Sequence, residues 1–214
     1  MADRHISEGG RISWDRYPYI AGCTVLSAVL PQWTFADGTE ALIKNLSEPD
    51  YRQKIHDEFE KDLEHWNNRS ITIGWHNIFV TSVQTEGNKW MEGKHIAELS
   101  DITRKHPVDV LCDVLAEEKL AVTMVIFYGS EDVLEKVLTH PAATIGTDGV
   151  YASKPHPRLF GCYPRFINEF VNKRKLLTMS EAIRKMTSYP ALLLGIKDRG
   201  LLKEGYCADV VMMT

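Results

Sequence analysis

The sequence predicts an α/β fold, and three observations predict it. Leu120–Tyr128 (LAVTMVIFY) is a continuous apolar run of the kind shown by a strand buried on both faces of a parallel sheet. A short amphipathic helix, Glu131–Leu138, starts after Gly129-Ser130, and Pro141 stops it before a second β-rich run ends at Asp148. Strand, helix and strand in so short a stretch read as a right-handed crossover between parallel strands. Helices with a single apolar stripe alternate with β-type segments elsewhere in the chain.

Taken in order, residues 11–20 (RISWDRYPYI) carry β-formers and break at Pro18, which suits the end of a strand. Asp15 and Tyr17 share a face by the two-residue period, and Tyr19 joins them. Ala21-Gly22-Cys23-Thr24 reads as a turn before an apolar patch that runs to Trp33. Residues 37–66 are helical, with Ser47-Glu-Pro-Asp50 as a capping-box-like start. Tyr51, Ile55, Phe59, Leu63 and Trp66 form the apolar stripe, and Lys54, Asp57, Glu60, Lys61 and Glu64 the charged face. His56 and His65 do not share the i,i+4 face that a helical metal pair uses, so both read as surface histidines.

Ser70–Val83 turns to a β pattern, and Glu86–Gly93 reads as an exposed loop. Lys94–Arg104 is helical with Ile96, Leu99 and Ile102 inward. His106-Pro107 opens the next helix, which turns Val108, Leu111, Cys112 and Leu115 inward. Later, Tyr163–Lys175 forms a helix with Phe166, Ile167, Phe170 and Val171 inward. Thr178-Met-Ser-Glu181 is a second capping box. Gly205–Thr214 is a final strand that ends in an apolar run, as a sequence cut short would.

The most chemically suggestive stretch is Ala143–Gly149. A strand delivers Asp148, between Gly146 and Gly149, into a loop dense in Lys154, Pro155, His156, Pro157 and Arg158 that runs to Gly161. Strands that deliver an acid from their C-terminal ends are how α/β barrels build active sites. Asp-Gly is also a common turn pair, so spacing alone leaves both readings open.

Composition narrows the class. A chain of 214 residues has room for one large domain or two small ones. It is 44% hydrophobic and 25% charged, ordinary for a soluble protein, and a net charge of −4 argues against a nucleic-acid partner. No apolar run approaches the ~20 residues of a membrane span, and MADRHISEGG lacks a signal-peptide core. Cys23, Cys112, Cys162 and Cys207 are scattered without a CxxC pair, which reads as reduced, partly buried thiols in a cytoplasmic protein.

Several phrases carry a family resemblance: WDRYPYIAGCT at 14–24, IGTDG at 145–149, KPHPRLFG at 154–161, YPRF at 163–166, EAIRKMTSYPA at 181–191 and GLLKEGYCADVV at 200–211. Together, in this order, they resemble the C-terminal part of the N-acyl-D-amino-acid deacylases, or D-aminoacylases, of the amidohydrolase superfamily. The resemblance implies the last strands of a metal-dependent (β/α)8 barrel, a mainly helical insertion and the first returning strand of a small β-sandwich. That is an incomplete barrel. It places a late barrel strand and loop at 1–24, the insertion at 25–119, the final barrel strands and helices at 120–195, and the start of the sandwich segment at 196–214.

The chemistry implied is zinc-dependent hydrolysis of the amide of an N-acyl-D-amino acid. Asp148 would be the catalytic carboxylate that takes a proton from a zinc-bound water and passes it to the leaving amine. Arg158 would hold the substrate α-carboxylate in its guanidinium fork, with Tyr17 at the same end of the substrate. Cys23 stands where the family has a serine, and a thiol is the weaker donor. The family's metal ligands (an early His-x-His, a cysteine and two further histidines) have no counterpart among His5, His56, His65, His76, His95 or His106, and His156 falls in the substrate loop. The chain alone is therefore expected to be inactive. The alternative is a non-catalytic half-barrel that associates with an upstream polypeptide. Exposed sheet edges in a partial barrel favour such a partner or a homo-oligomer.

Overall fold

The computed structural model describes residues 1–61, 66–152 and 154–212. The chain opens on α1 (Ala2–Ser7), β1 (Trp14–Arg16) and β2 (Ala21–Val25). Two 3-10 turns lead to α2 (Thr39–Asn45), α3 (Pro49–Phe59), α4 (Arg69–Thr72) and β3 (Ile78–Ser82). Then come α5 (Ile96–Thr103), α6 (Pro107–Glu117), β4 (Thr123–Phe127), α7 (Glu131–Thr139) and β5 (Ala143–Ile145). The remainder holds α8 (Arg158–Phe166), continued by a π-helix over Ile167–Lys173, then α9 (Met179–Met186) and α10 (Ser188–Leu193). The architecture is α/β. Among the described residues no helix is long and apolar enough to cross a membrane.

The chain divides into two compact units. The first comprises Met1–Tyr19, Gly129–Gly149 and Pro157–Thr214. Its sheet is the parallel pair β1–β5, in the register Trp14↔Ala143, Asp15↔Thr144 and Arg16↔Ile145. All three residues of β5 are buried, and α7 and α9 pack on it. Ser130 caps α7 through its hydroxyl, and Leu134 and Leu138 point inward, whereas Val133 is left exposed. The predicted capping box at Thr178 forms in full, the hydroxyl accepting from the Glu181 amide while the glutamate accepts from Thr178. Beyond α10 the strand expected over 205–214 is not formed: residues 205–212 are irregular and almost wholly exposed, and Met213 and Thr214 lie outside the described residues. A strand needs a neighbour to take its backbone bonds, and none pairs here among the described residues.

Lys185 ties α9 to the start of β5. Its side chain is 1% exposed, and Nζ donates to the carbonyls of His140 and, at 3.1 Å, of Ala143. Burial pushes the ammonium pKa down to about 8, Arg184 pushes the same way and Glu181 opposes. Between about 8 and the ordinary 10.5 the unfolded chain therefore holds a proton that the folded chain has lost. Stability contributed by this group rises with pH across that window. Thermal melts of the chain and of Lys185→Met across the same window are expected to show the rise in the first and its loss in the second.

The second unit comprises Ile20–Tyr128 and Val150–His156. Its sheet is β2-β4-β3, with both outer strands antiparallel to β4. Three expectations change here. The apolar run at 120–128 is a central strand, as expected of its composition, but in an antiparallel sheet rather than a parallel one, and it does not pair with β5. It buries Met124 and Ile126 on one face and leaves Val125 and Thr123 half-covered on the other, so a near-continuous apolar run serves either sheet type. The segment at 21–24 is strand β2, not a turn: Gly22 pairs opposite Ile126, and ladder bonds outweigh glycine's poor strand preference. Within 70–83 only Ile78–Ser82 is strand, because the Asn68 side chain caps a helical turn over Arg69–Thr72 and Gly74 (φ +81°) breaks the chain again.

Helices α3, α5 and α6 bury the core against this sheet. Ile55, Phe59, Ile96, Leu99, Val108, Leu111, Cys112 and Leu115 join Met124 and Ile126 in one cluster, with Trp66 beside Phe59. Ile102, predicted to face inward, is 53% exposed. The capping box at Ser47 does not form; α3 instead starts with Pro49 in its first turn after Glu48. Leu63 of the predicted stripe, Glu64 of the charged face, and His65 lie outside the described residues. His56 is not a free surface histidine: Nε2 lies 3.1 Å from Asp109 Oδ1 and the ring 4.6 Å from that of His106. These contacts tie α3 to α6.

Candidate active site

The first unit brings three of the four singled-out residues together. Asp148 follows β5 by three residues, with its backbone in the left-handed region at φ +45°. That conformation costs an L-residue steric strain which Asp and Asn tolerate best. The flanking glycines let the backbone come close to its neighbours. A Cβ on Gly149 would lie 2.8 Å from Leu159 Cδ1, and one on Gly146 would lie 2.3 Å from Asp15 Oδ2. Asp148 Oδ2 is 3.0 Å from Arg158 Nη2, and the two side chains differ sharply in exposure, 64% for the acid and 1% for the arginine.

Arg158 is the first residue of α8, and Pro157 before it sets the helix start. Its guanidinium carbon sits 4.5 Å from the centroid of the Tyr17 ring, which is itself buried. This is cation–π distance, so the ring packs directly on the arginine. Tyr17 lies one residue past β1, and Arg16 packs on the same ring at 3.8 Å while donating from Nη2 to the Tyr19 carbonyl. Seven residues along α8, two turns on, Arg165 donates from Nε to the Pro18 carbonyl at 2.6 Å and stacks on Tyr19 at 4.8 Å. The Arg-Tyr-Pro-Tyr segment is thus held by two arginines of one helix. Arg16 and Arg165 were not picked out from the sequence; the two-turn spacing of Arg158 and Arg165 is the signal that carries the second.

Beneath the ion pair, Cys162 donates its thiol to the Arg158 carbonyl at 3.1 Å. Burial pushes its pKa up to about 11, Arg158 opposing and Asp148 adding, so the thiol stays protonated and inert at neutral pH. Burial likewise raises the Tyr19 phenol, with Cys162 adding and Arg165 opposing. The close approach of α8 to Tyr19 depends on Gly161, where a Cβ would come within 2.6 Å of the Tyr19 hydroxyl oxygen. Gly161→Ala is expected to displace Tyr19 and cost about 1–3 kcal/mol by overpacking, read as a lowered melting temperature with a changed near-ultraviolet tyrosine signal.

Cys23, the fourth residue, belongs to the second unit; it is buried on β2 opposite Val125. His156 is also buried there. Of the four cysteines, Cys207 is the exposed one. Among the described residues no three His, Cys, Asp or Glu side chains come together to hold a metal ion. The described donors do not assemble a zinc centre.

A carboxylate just past the C-terminal end of a parallel strand, paired with a buried arginine from the following helix, stands where α/β barrels place reactive groups. The chain is a member of the amidohydrolase family, whose sequence model matches residues 2–214. It is 36% identical over 104 residues to an N-acyl-D-glutamate deacylase of Alcaligenes xylosoxydans xylosoxydans, which covers 47% of this chain and 21% of that protein. An N-acyl-D-aspartate deacylase of the same organism is 32% identical over 125 residues, covering 58% of this chain and 25% of the relative. The resemblance to the N-acyl-D-amino-acid deacylases is thereby borne out. Among solved structures, the N-acyl-D-glutamate deacylase of Bordetella bronchiseptica, complexed with zinc and a phosphonate mimic of the tetrahedral intermediate, superposes with a TM-score of 0.69 at 23% identity. That match covers 97% of this chain and 34% of the other. A D-aminoacylase structure gives 0.67 at 22% identity, covering 96% and 34%. The fold is that of these amidohydrolases, and the chain spans about a third of their length.

Proposed function

We propose that the chain is the C-terminal portion of a zinc-dependent amidohydrolase acting on N-acyl-D-amino acids. In this reading it supplies the proton-transfer group and the carboxylate clamp. The single observation that carries the reading is the Asp148–Arg158–Tyr17 assembly, with a 3.0 Å ion pair and a buried guanidinium stacked on a tyrosine. Arg158 binds the α-carboxylate of the substrate through parallel N–H donors, and Tyr17 fixes the plane of that fork. Asp148 takes the proton of the attacking water and delivers it to the amine nitrogen as the C–N bond breaks. Activation of the water lies with the part of the fold that this chain does not span, and the chain alone is inactive.

The test is reconstitution. The chain is assayed for N-acetyl-D-glutamate hydrolysis alone and with the upstream segment of the N-acyl-D-glutamate deacylase it resembles. Turnover only in the mixture supports the reading; turnover by the chain alone overturns the assignment of water activation to the missing part.

One observation favours a second reading, a non-catalytic half-barrel that works by association. Leu192, Leu194 and Leu202 in the first unit are 73%, 76% and 86% exposed, apolar side chains that an associating polypeptide would cover. Under that reading the upstream segment co-purifies with the chain without generating activity.

A further inference from the structure

We propose that Asp148 occupies the Arg158 clamp in place of a ligand carboxylate, so that an entering carboxylate displaces it and releases the proton-transfer group only when the site is filled. The inference rests on the reading of Arg158 as the carboxylate clamp.

Three observations carry it. The ion pair joins a guanidinium with 1% exposure to a carboxylate with 64% exposure, so the arginine is fixed by its surroundings and the acid is the partner able to move. The fixing is visible: Arg158 stands at the start of α8 and stacks on buried Tyr17. Next, Asp148 keeps a left-handed backbone, φ +45°, while making this contact. A non-glycine residue holds such a conformation only where its surroundings stabilise it, and here Arg158 is one such stabilising partner. Finally, Asp148 lies in irregular backbone beyond β5, outside any helix or strand, where its side chain can change rotamer once the pair opens.

A guanidinium binds a carboxylate best through two parallel donors, so one fork does not serve Asp148 and a ligand carboxylate equally well at once. The two compete. A site filled by its own side chain binds ligand more weakly by the fraction of time it is open. Removing the Asp148 charge removes that penalty, and Asn accepts the same left-handed backbone, so Asp148→Asn isolates the charge.

The experiment titrates the 214-residue chain with N-acetyl-D-alanine and, as a ligand without a carboxylate, with N-acetyl-D-alaninamide, by calorimetry or NMR. Asp15→Asn controls for through-space charge, since Asp15 is another carboxylate of the same sheet pair. Asp148→Asn is expected to tighten N-acetyl-D-alanine roughly five- to tenfold, Asp15→Asn to change it by less than about twofold, and the amide to respond to neither. Equal affinity in the chain and in Asp148→Asn, or equal tightening by Asp15→Asn, overturns the competition. In that case loss of binding in Arg158→Lys, which keeps the charge and loses the fork, leaves the clamp standing. If Arg158→Lys binds the carboxylate as well as the chain does, or no variant binds it, the clamp reading itself fails and the competition with it.

Discussion

Asp148→Asn, in the chain reconstituted with an upstream deacylase segment, is expected to lower turnover of an N-acetyl-D-amino acid by roughly 10²–10⁴-fold, the usual worth of a positioned acid–base group. The same substitution tightens ground-state binding if Asp148 and the substrate compete for Arg158. Turnover and KM should therefore fall together, the signature of a group that opposes substrate binding and serves the transition state. A purely structural role for Asp148 predicts otherwise. Asn tolerates the φ of +45° and keeps an amide oxygen to accept from the buried Arg158, so the melting temperature should fall far less than turnover does. A variant that stays folded, binds substrate more tightly and fails to turn it over separates the two roles. Steady-state kinetics of the reconstituted pair, with a thermal melt of each variant, decides it. Unchanged turnover would remove Asp148 from the reaction.

How much of this was legible depended on whether local chemistry or distant pairing decided each element. Thr178 and Glu181 carry their own instructions, so the second capping box is found as written. The inward face of α6 follows likewise from the spacing of Val108, Leu111, Cys112 and Leu115. The strand at 120–128 was legible as a strand but not in its partners. Its apolar run says nothing about whether β2 and β3 approach it antiparallel or whether β5 lies beside it. β5 instead joins β1, well over a hundred residues earlier in the chain, a pairing that no local pattern encodes. The site divides in the same way. Asp148 and Arg158 are visible because both sit in one motif-dense loop. Their direct ion pair, the strained backbone of Asp148 and the clasp of Arg165 on Pro18 arise only when α8 packs beside the loop after β1. Where the sequence reading erred, at Gly22 and at 70–77, tertiary ladder bonds or a local cap overrode propensity.

Glu118→Gln is expected to destabilise the second unit by about 2–4 kcal/mol, because it disrupts a buried carboxylate that is fully engaged. Glu118 is 3% exposed at the end of α6 and anchors the segment after β3. It accepts from the backbone amides of Gln84 at 2.5 Å and Thr85 at 3.0 Å, from Asn88 Nδ2 at 2.7 Å, and from the Thr85 hydroxyl. Every partner is a donor. A glutamine presents an NH₂ to at least one of them, and donor faces donor in a buried setting where water cannot relieve the conflict. The acid dependence follows from the same contacts. Burial pushes the carboxyl up, but the bonds from Thr85, Asn88 and the two amides outweigh it and leave the folded pKa below the ordinary 4.5. A depressed folded pKa means that the stabilisation is complete above the unfolded value and is lost as the pH falls through the folded one. Urea denaturation of the chain and of Glu118→Gln at neutral pH should therefore show the full difference, and the two curves should converge in acid. A difference that persisted unchanged into acid would mean that Glu118 stabilises the segment through its shape and not through its charge.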